Sequence, residues 1–169
     1  MSANDVLYTA IESSTKAFFG DLEEAIRVKN TTILSRTLAP DCSRSLAPES
    51  LIRTFGMPEG FSWTNEAYEQ HMKPEVAIME HATYEILFTA VDSQKRKSVA
   101  RVAHHTKLRG KDAVRLEIVW FLDWNEDGSK VKKIAEFVDT AESIKIAQSM
   151  KESVASLPSE LKEGNVVLR

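Results

Sequence analysis

Hydrophobic positions near the start of the chain recur at steps of three and four. Leu7, Ile11, Phe18, Leu22, Ala25 and Ile26 share one face, with Glu12, Lys16, Glu23 and Arg27 between them, which predicts an amphipathic helix over Asp5 to Val28. Gly20 lies inside it at a cost of about 1 kcal/mol relative to alanine. Asn30 and Thr31 offer N-caps for a short second helix carrying Ile33, Leu34 and Leu38, which Pro40 should end. Between Ala39 and Trp63, Pro40, Pro48, Gly56, Pro58 and Gly60 interrupt every period. This segment is therefore expected to be mostly loop, with a turn of helix around Glu49 to Thr54, and to border a pocket as a lid. Thr64 can cap a third helix running through Ala67, Tyr68 and His71, which Pro74 limits or kinks.

After Met79 the period becomes two. Tyr84, Ile86, Phe88 and Ala90 alternate with Thr83, Glu85, Leu87 and Thr89, which predicts a strand with one apolar face. In the next strand Ala100, Val102, His104, Thr106 and Leu108 oppose Arg101, His105, Lys107 and Arg109, so His104 should face inward and His105 outward. Val114, Leu116, Ile118, Trp120 and Leu122 then form an unbroken apolar face, and Asn125 to Ser129 makes a hairpin into a last strand, Lys133 to Asp139. Thr140 can cap a C-terminal helix bearing Ile144, Ala147, Met150 and Val154, and Pro158 and Gly164 mark a tail. Short connections imply antiparallel neighbours, and helices on one side of such a sheet give the α+β class. One domain covers the 169 residues, with a core over about 5–154 and a tail over 155–169.

Charge narrows the partners. With 22 basic and 25 acidic side chains the chain offers no basic footprint for nucleic acid. The cluster Lys95, Arg96, Lys97 reads as a solvated hairpin tip. The single cysteine, Cys42, excludes an internal disulfide and fits a reducing, cytoplasmic compartment. No stretch approaches the roughly 20 apolar residues of a membrane helix, and no secretory address is evident.

Candidate chemistry centres on Glu136, which stands between Ile134 and Val138 on one sheet face. An apolar pocket would raise its carboxyl toward neutrality and make it a useful acid or base; alternatively it is paired with a buried arginine. His104 is either a proton shuttle or a satisfied core histidine. Tyr84 and Trp120 either stack against a flat polycyclic ligand or pack the core. Asp41 and Asp139 read as capping residues, and Cys42 lacks a basic partner other than Arg44. His104 and His105 point to opposite faces and make poor joint metal ligands, and no other spacing suggests a metal site.

The order of helices, meander and final helix resembles the cone-shaped α+β fold of the nuclear-transport-factor and ketosteroid-isomerase superfamily, in which a curved sheet wraps a pocket. Within it, Ser35 to Leu51 resembles the Arg-x-x-x-Pro-Asp-Cys to Pro-x-Ser-Leu signature of fungal SnoaL-like proteins. Together with Asn125 to Gly128 and Glu136 to Asp139, that resemblance spans most of residues 5–150. It implies a cofactor-independent isomerase or cyclase acting on a polycyclic, oxygenated secondary metabolite of polyketide, meroterpenoid or alkaloid type, commonly as a homodimer. A dehydratase and a non-catalytic binding or dimerisation module of the same fold are the alternatives. The resemblance implies that Glu136 and Arg36 are pocket residues. Arg36 would hold an oxyanion with its fixed fork of donors, or else bond loop carbonyls at a helix end. Arg44 stands where many relatives have histidine, and Val114 and Ile118 where some have tyrosine. An outer sheet face bearing Val119, Phe121, Ala135 and Phe137 is the expected dimer surface.

Overall fold

Ser2 and Asp5 cap each other at the start of the first helix, α1 (Ala3–Val28): Asp5 N–H donates to Ser2 Oγ at 3.2 Å and Ser2 N–H to Asp5 Oδ2 at 2.8 Å. The structure, a computed structural model, describes residues 2–159, so most of the expected tail lies outside the described residues. The stripe read from the sequence is the buried one, with Ile11, Phe18, Leu22, Ala25 and Ile26 in the core. Lys29 closes the helix in a left-handed conformation, and its Nζ donates to the carbonyls of Val76 and Met79. One turn of 3₁₀ helix, Thr31–Ser35, follows, capped by Asn30 as expected. It is shorter than the expected second helix, and Leu38 belongs to a strand instead.

That strand corrects the reading of Ala39 to Trp63 as mostly loop. β1 (Leu38–Ala47) runs through Pro40 and is followed by a short helix, α2 (Glu49–Thr54), at the expected place. Pro40 is tolerated because β1 is a sheet edge, bonded within the sheet only to the last strand. The alternation was present in the sequence: Cys42 and Arg44 are buried, with the less buried Ser43 and Ser45 between their neighbours. A charged residue on the buried face disguised it. The segment does border the cavity described below, through Leu46, Leu51, Phe55, Met57 and Trp63.

Helix α3 (Asn65–Ile78) starts at Thr64, whose Oγ1 accepts from Ala67 N–H at 3.2 Å, and continues through Pro74 to Ile78. The strands β2 (Met79–Asp92), β3 (Lys97–Leu108), β4 (Ala113–Trp124) and β5 (Val131–Val138) form the expected antiparallel meander. β1 joins it parallel to β5, which makes the curved five-stranded sheet mixed, in the order β1-β5-β4-β3-β2. A register shift between Ile86 and Phe88 turns the second half of β2 over. Thr89 and Val91 face inward there, and Phe88 is 58% exposed, not part of the apolar inner face.

The hairpin after β4 packs on α1. A Cβ at Gly128, whose φ is 73°, would lie 2.8 Å from Ile11 Cγ1. Trp124 Nε1 donates to Ser98 Oγ at 2.9 Å, and Ser98 meets Thr15 Oγ1 at 3.1 Å, all buried. The last helix, α4 (Thr140–Ala155), is capped by Asp139, whose Oδ1 accepts from Ala141 and Glu142 N–H; Thr140 is its first residue and not its cap. Among the described residues no helix is long and apolar enough to cross a membrane.

Candidate functional site

The concave face of the sheet, α3, α4 and the α2 segment enclose a cavity of about 500 Å³. Glu136 comes to it because β5 alternates Ile134, Glu136 and Val138 inward, all three buried. Burial pushes its carboxyl up from the ordinary range to about 7; the Arg44 cation pulls it back down, and the charge of Glu75 adds to the rise.

Arg44 is the cation of this site. Its Nε lies 3.3 Å from Glu136 Oε1, with side chains 3% and 9% exposed. The guanidinium stacks on Tyr68 at 3.7 Å from the ring centroid, with Phe18 and Trp120 rings at 5.9 Å. Backbone bonds hold it from both sides: β1 pairs with β5, and Arg44 exchanges N–H···O bonds with Trp63 at 3.1 and 2.8 Å. Among the described residues none of its three nitrogens has a hydrogen-bond partner, and Glu136 Oε1 lacks one too. A buried guanidinium so placed is a fixed charge beside the carboxylate that lowers its proton affinity against the larger effect of burial.

His104 lines the cavity on β3 and stacks face to face with Tyr84 of β2, centroids 4.4 Å apart and planes 6° apart. Burial pushes its imidazole down to about 4, so it is neutral at physiological pH, and its Nε2 has no hydrogen-bond partner among the described residues. Tyr84 is buried enough that its phenol stays far above its ordinary pKa and remains a neutral donor. Trp120 lies on the cavity wall, edge-on to Phe18, Phe19 and Tyr84, with Nε1 unpartnered among the described residues. His105 sits on the other face, 3.3 Å from Glu85, as expected.

Arg36 is not brought to this site. Its side chain is 55% exposed, donates through Nε to Asp21 Oδ1 at 2.8 Å and through Nη2 to Glu24 Oε2 at 2.5 Å, and does not line the cavity. The reading of Arg36 as a pocket residue is thereby corrected. Its place at the end of the 3₁₀ turn points it at α1, and Asp21, itself buried, also accepts from Thr37 Oγ1. Cys42 is buried with its thiol pushed up to about 11, against nucleophilic use. Among the described residues no three His, Cys, Asp or Glu side chains converge as a metal site.

The sequence reading missed Arg44, Tyr68, His71 and Glu75. Tyr68, Met72 and Glu75 recur at four and three along α3, with His71 beside them, and this places them on one helix face. Arg44 occupies the period-two position of Cys42 and Leu46. Both signals were available; their polar residues resembled surface residues.

No family model matches the chain, and no curated protein matches its sequence. Among solved structures it is similar to the BvnE pinacolase from Penicillium brevicompactum, at 20% identity over 90% of this chain and 97% of that one, with a TM-score of 0.74. PrhC from Penicillium brasilianum NBRC 6234 superposes at 14% identity over 94% and 95% of the two chains, TM-score 0.70. A putative polyketide cyclase from Xanthomonas campestris pv. campestris does so at 11% identity over 82% and 97%, TM-score 0.60. These likenesses establish the cone-shaped fold expected from the resemblance; at such identities they speak for the fold alone.

Proposed function

We propose that the chain is a cofactor-independent isomerase or cyclase that rearranges a polycyclic, oxygenated secondary metabolite of polyketide, meroterpenoid or alkaloid type by acid-base chemistry. The observation that carries this reading is Glu136, a carboxyl on the cavity wall held near pH 7 by burial against the pull of Arg44. A group poised there gives and takes protons with the least loss of driving force at physiological pH. The cavity volume suits a fused-ring molecule, and its walls are largely apolar and aromatic, with few polar groups to fix orientation. In this reading Tyr84 and neutral His104 donate hydrogen bonds to substrate oxygens, Trp120 packs a ring face, and Arg44 positions the Glu136 carboxylate. The oxyanion-holding role expected of Arg36 has no place in this reading, since Arg36 does not line the cavity, and Arg44 acts on Glu136 as a positioning residue. The fold relationship to a pinacolase and a putative polyketide cyclase is consistent with rearrangement or ring closure, and a dehydratase would use the same groups with water as leaving molecule.

A second reading, a non-catalytic binding module, is favoured by one observation: Arg44 is the close permanent partner that would neutralise Glu136. Incubation in D2O with a panel of polycyclic α-hydroxy ketones and enolisable 1,3-diketones, followed by mass spectrometry, separates the two. Wild type should convert or deuterate panel members, and Glu136→Gln should bind them with turnover reduced about 100- to 10,000-fold. Equal binding by both proteins with no conversion and no deuterium uptake by either would establish the binding module.

A further inference from the structure

Helix α3 brings a second titratable pair to the same cavity. His71 and Glu75 stand one turn apart, Nε2 to Oε1 3.4 Å, and both line the wall. The imidazole is fixed by stacking on Trp63, centroids 5.3 Å apart and planes 30° apart, and its Nδ1 is buried without a hydrogen-bond partner among the described residues. Burial raises the Glu75 carboxyl while His71 draws it down, and Glu75 in turn raises Glu136. The charged and titratable groups around them are Arg44 on β1, Tyr84 on β2, His104 on β3, Tyr68 on α3 and Lys151 on α4. The charge of Glu75 raises the Glu136 carboxyl, so ionisation of one disfavours ionisation of the other and favours a state in which one is ionised and the other protonated.

We propose that the His71–Glu75 pair is a second proton-transfer station, meeting the bound molecule from the helical wall while Glu136 meets it from the sheet wall. The inference rests on the acid-base reading above and adds the reaction class: a rearrangement with proton transfer at two substrate positions. The ionised carboxylate takes a proton from carbon, and the C–H electron pair becomes the π bond of an enol or alkene. The protonated partner delivers its proton to a second carbon or oxygen, whose electron pair forms the new bond to hydrogen. The substrate leaves as an isomer, and the two carboxyls end with exchanged protonation, reset by proton exchange with water.

The Kemp elimination of 5-nitrobenzisoxazole tests this without the native substrate, because it needs only a desolvated base. The base removes the ring C–H proton, the C–H electron pair forms the second π bond of a nitrile, and the N–O bond breaks with its pair leaving on the coloured phenolate oxygen. Wild type should show two ascending steps in its pH–rate profile. Glu136→Gln should remove one step, Glu75→Gln the other, and the double variant should fall about 100-fold or more, to the rate of acetate in solution. His71→Asn should move the Glu75 step to higher pH, the change also readable as a carbon-13 carboxyl titration if Glu75→Gln does not fold. A Glu75→Gln profile identical to wild type, or a Glu75 carboxyl indifferent to His71→Asn, overturns the second station and leaves Glu136 standing. A wild type no faster than acetate, or a Glu136→Gln protein as fast as wild type, overturns the acid-base reading and this inference with it.

Discussion

Arg44 Nε lies 3.3 Å from Glu136 Oε1 across the one parallel strand pair of the sheet. Leu46 is the register partner of Glu136, and Arg44 stands two residues before it, so the ion pair is a diagonal on the inner face. The buried charge is thus set by the edge strand, and the acid by its neighbour.

Arg44→Met should push the Glu136 carboxyl above about 7, because the cation is what pulls it down. A carboxyl raised in the folded state is protonated there while ionised in the unfolded chain. Stability accordingly falls as pH rises from the unfolded pKa through the folded one, by about 1.4 kcal/mol for each pH unit between the two. Urea denaturation between pH 5 and 9 should show the variant still losing stability above pH 7, where this contribution levels off in wild type. Parallel curves would show that Arg44 does not tune Glu136.

His104 acts with the opposite sign. Its folded pKa of about 4 lies below the ordinary 6.5, so the folded state binds fewer protons and stability is lost as pH falls from about 6.5 to about 4. The loss is about 3 kcal/mol at most. In the window where Glu136 favours acid, His104 opposes it, and His104→Gln should steepen the decline of Tm with rising pH between 5 and 7. An unchanged slope would place His104 outside the titrating core.

Arg36→Gln should lower Tm, since Asp21 is buried and loses a charged donor. Deuterium uptake or turnover at 25 °C should match wild type because Arg36 does not reach the cavity. Loss of turnover with an unchanged Tm would return Arg36 to the site.

Phe121 and Phe137, 46% and 49% exposed, alternate with Ala135 and Val119 across β4 and β5 on the outer face of the sheet. We expect this patch to close a homodimer, because large apolar side chains in a contiguous exposed cluster gain most from burial against a copy of themselves. Light scattering at micromolar concentration should report a dimer, and Phe121→Lys with Phe137→Glu a folded monomer. A monomeric wild type would leave the patch without this role.

Periodicity alone determined most of the frame. Steps of three and four in Leu7 to Ile26, and of two in Ala100 to Leu108 and Val114 to Leu122, follow from the geometry of a helix and a strand with one buried face. Glu136 and His104 were legible for the same reason: each is a polar residue at an inward position of an otherwise apolar series. What the period could not decide was any feature made by residues distant along the chain. Arg36 and Arg44 are the same residue type eight positions apart, and only the parallel pairing of β1 with β5 tells which meets Glu136. His71 and Glu75 look like an ordinary solvated helix pair until the sheet curves beneath α3 and encloses them with Glu136. The turn of β2 at Leu87, which exposes Phe88, is likewise set by pairing with β3. Local pattern specifies which face of each element is apolar; the tertiary contacts specify which titratable groups share a cavity, and burial there is what shifts their protonation.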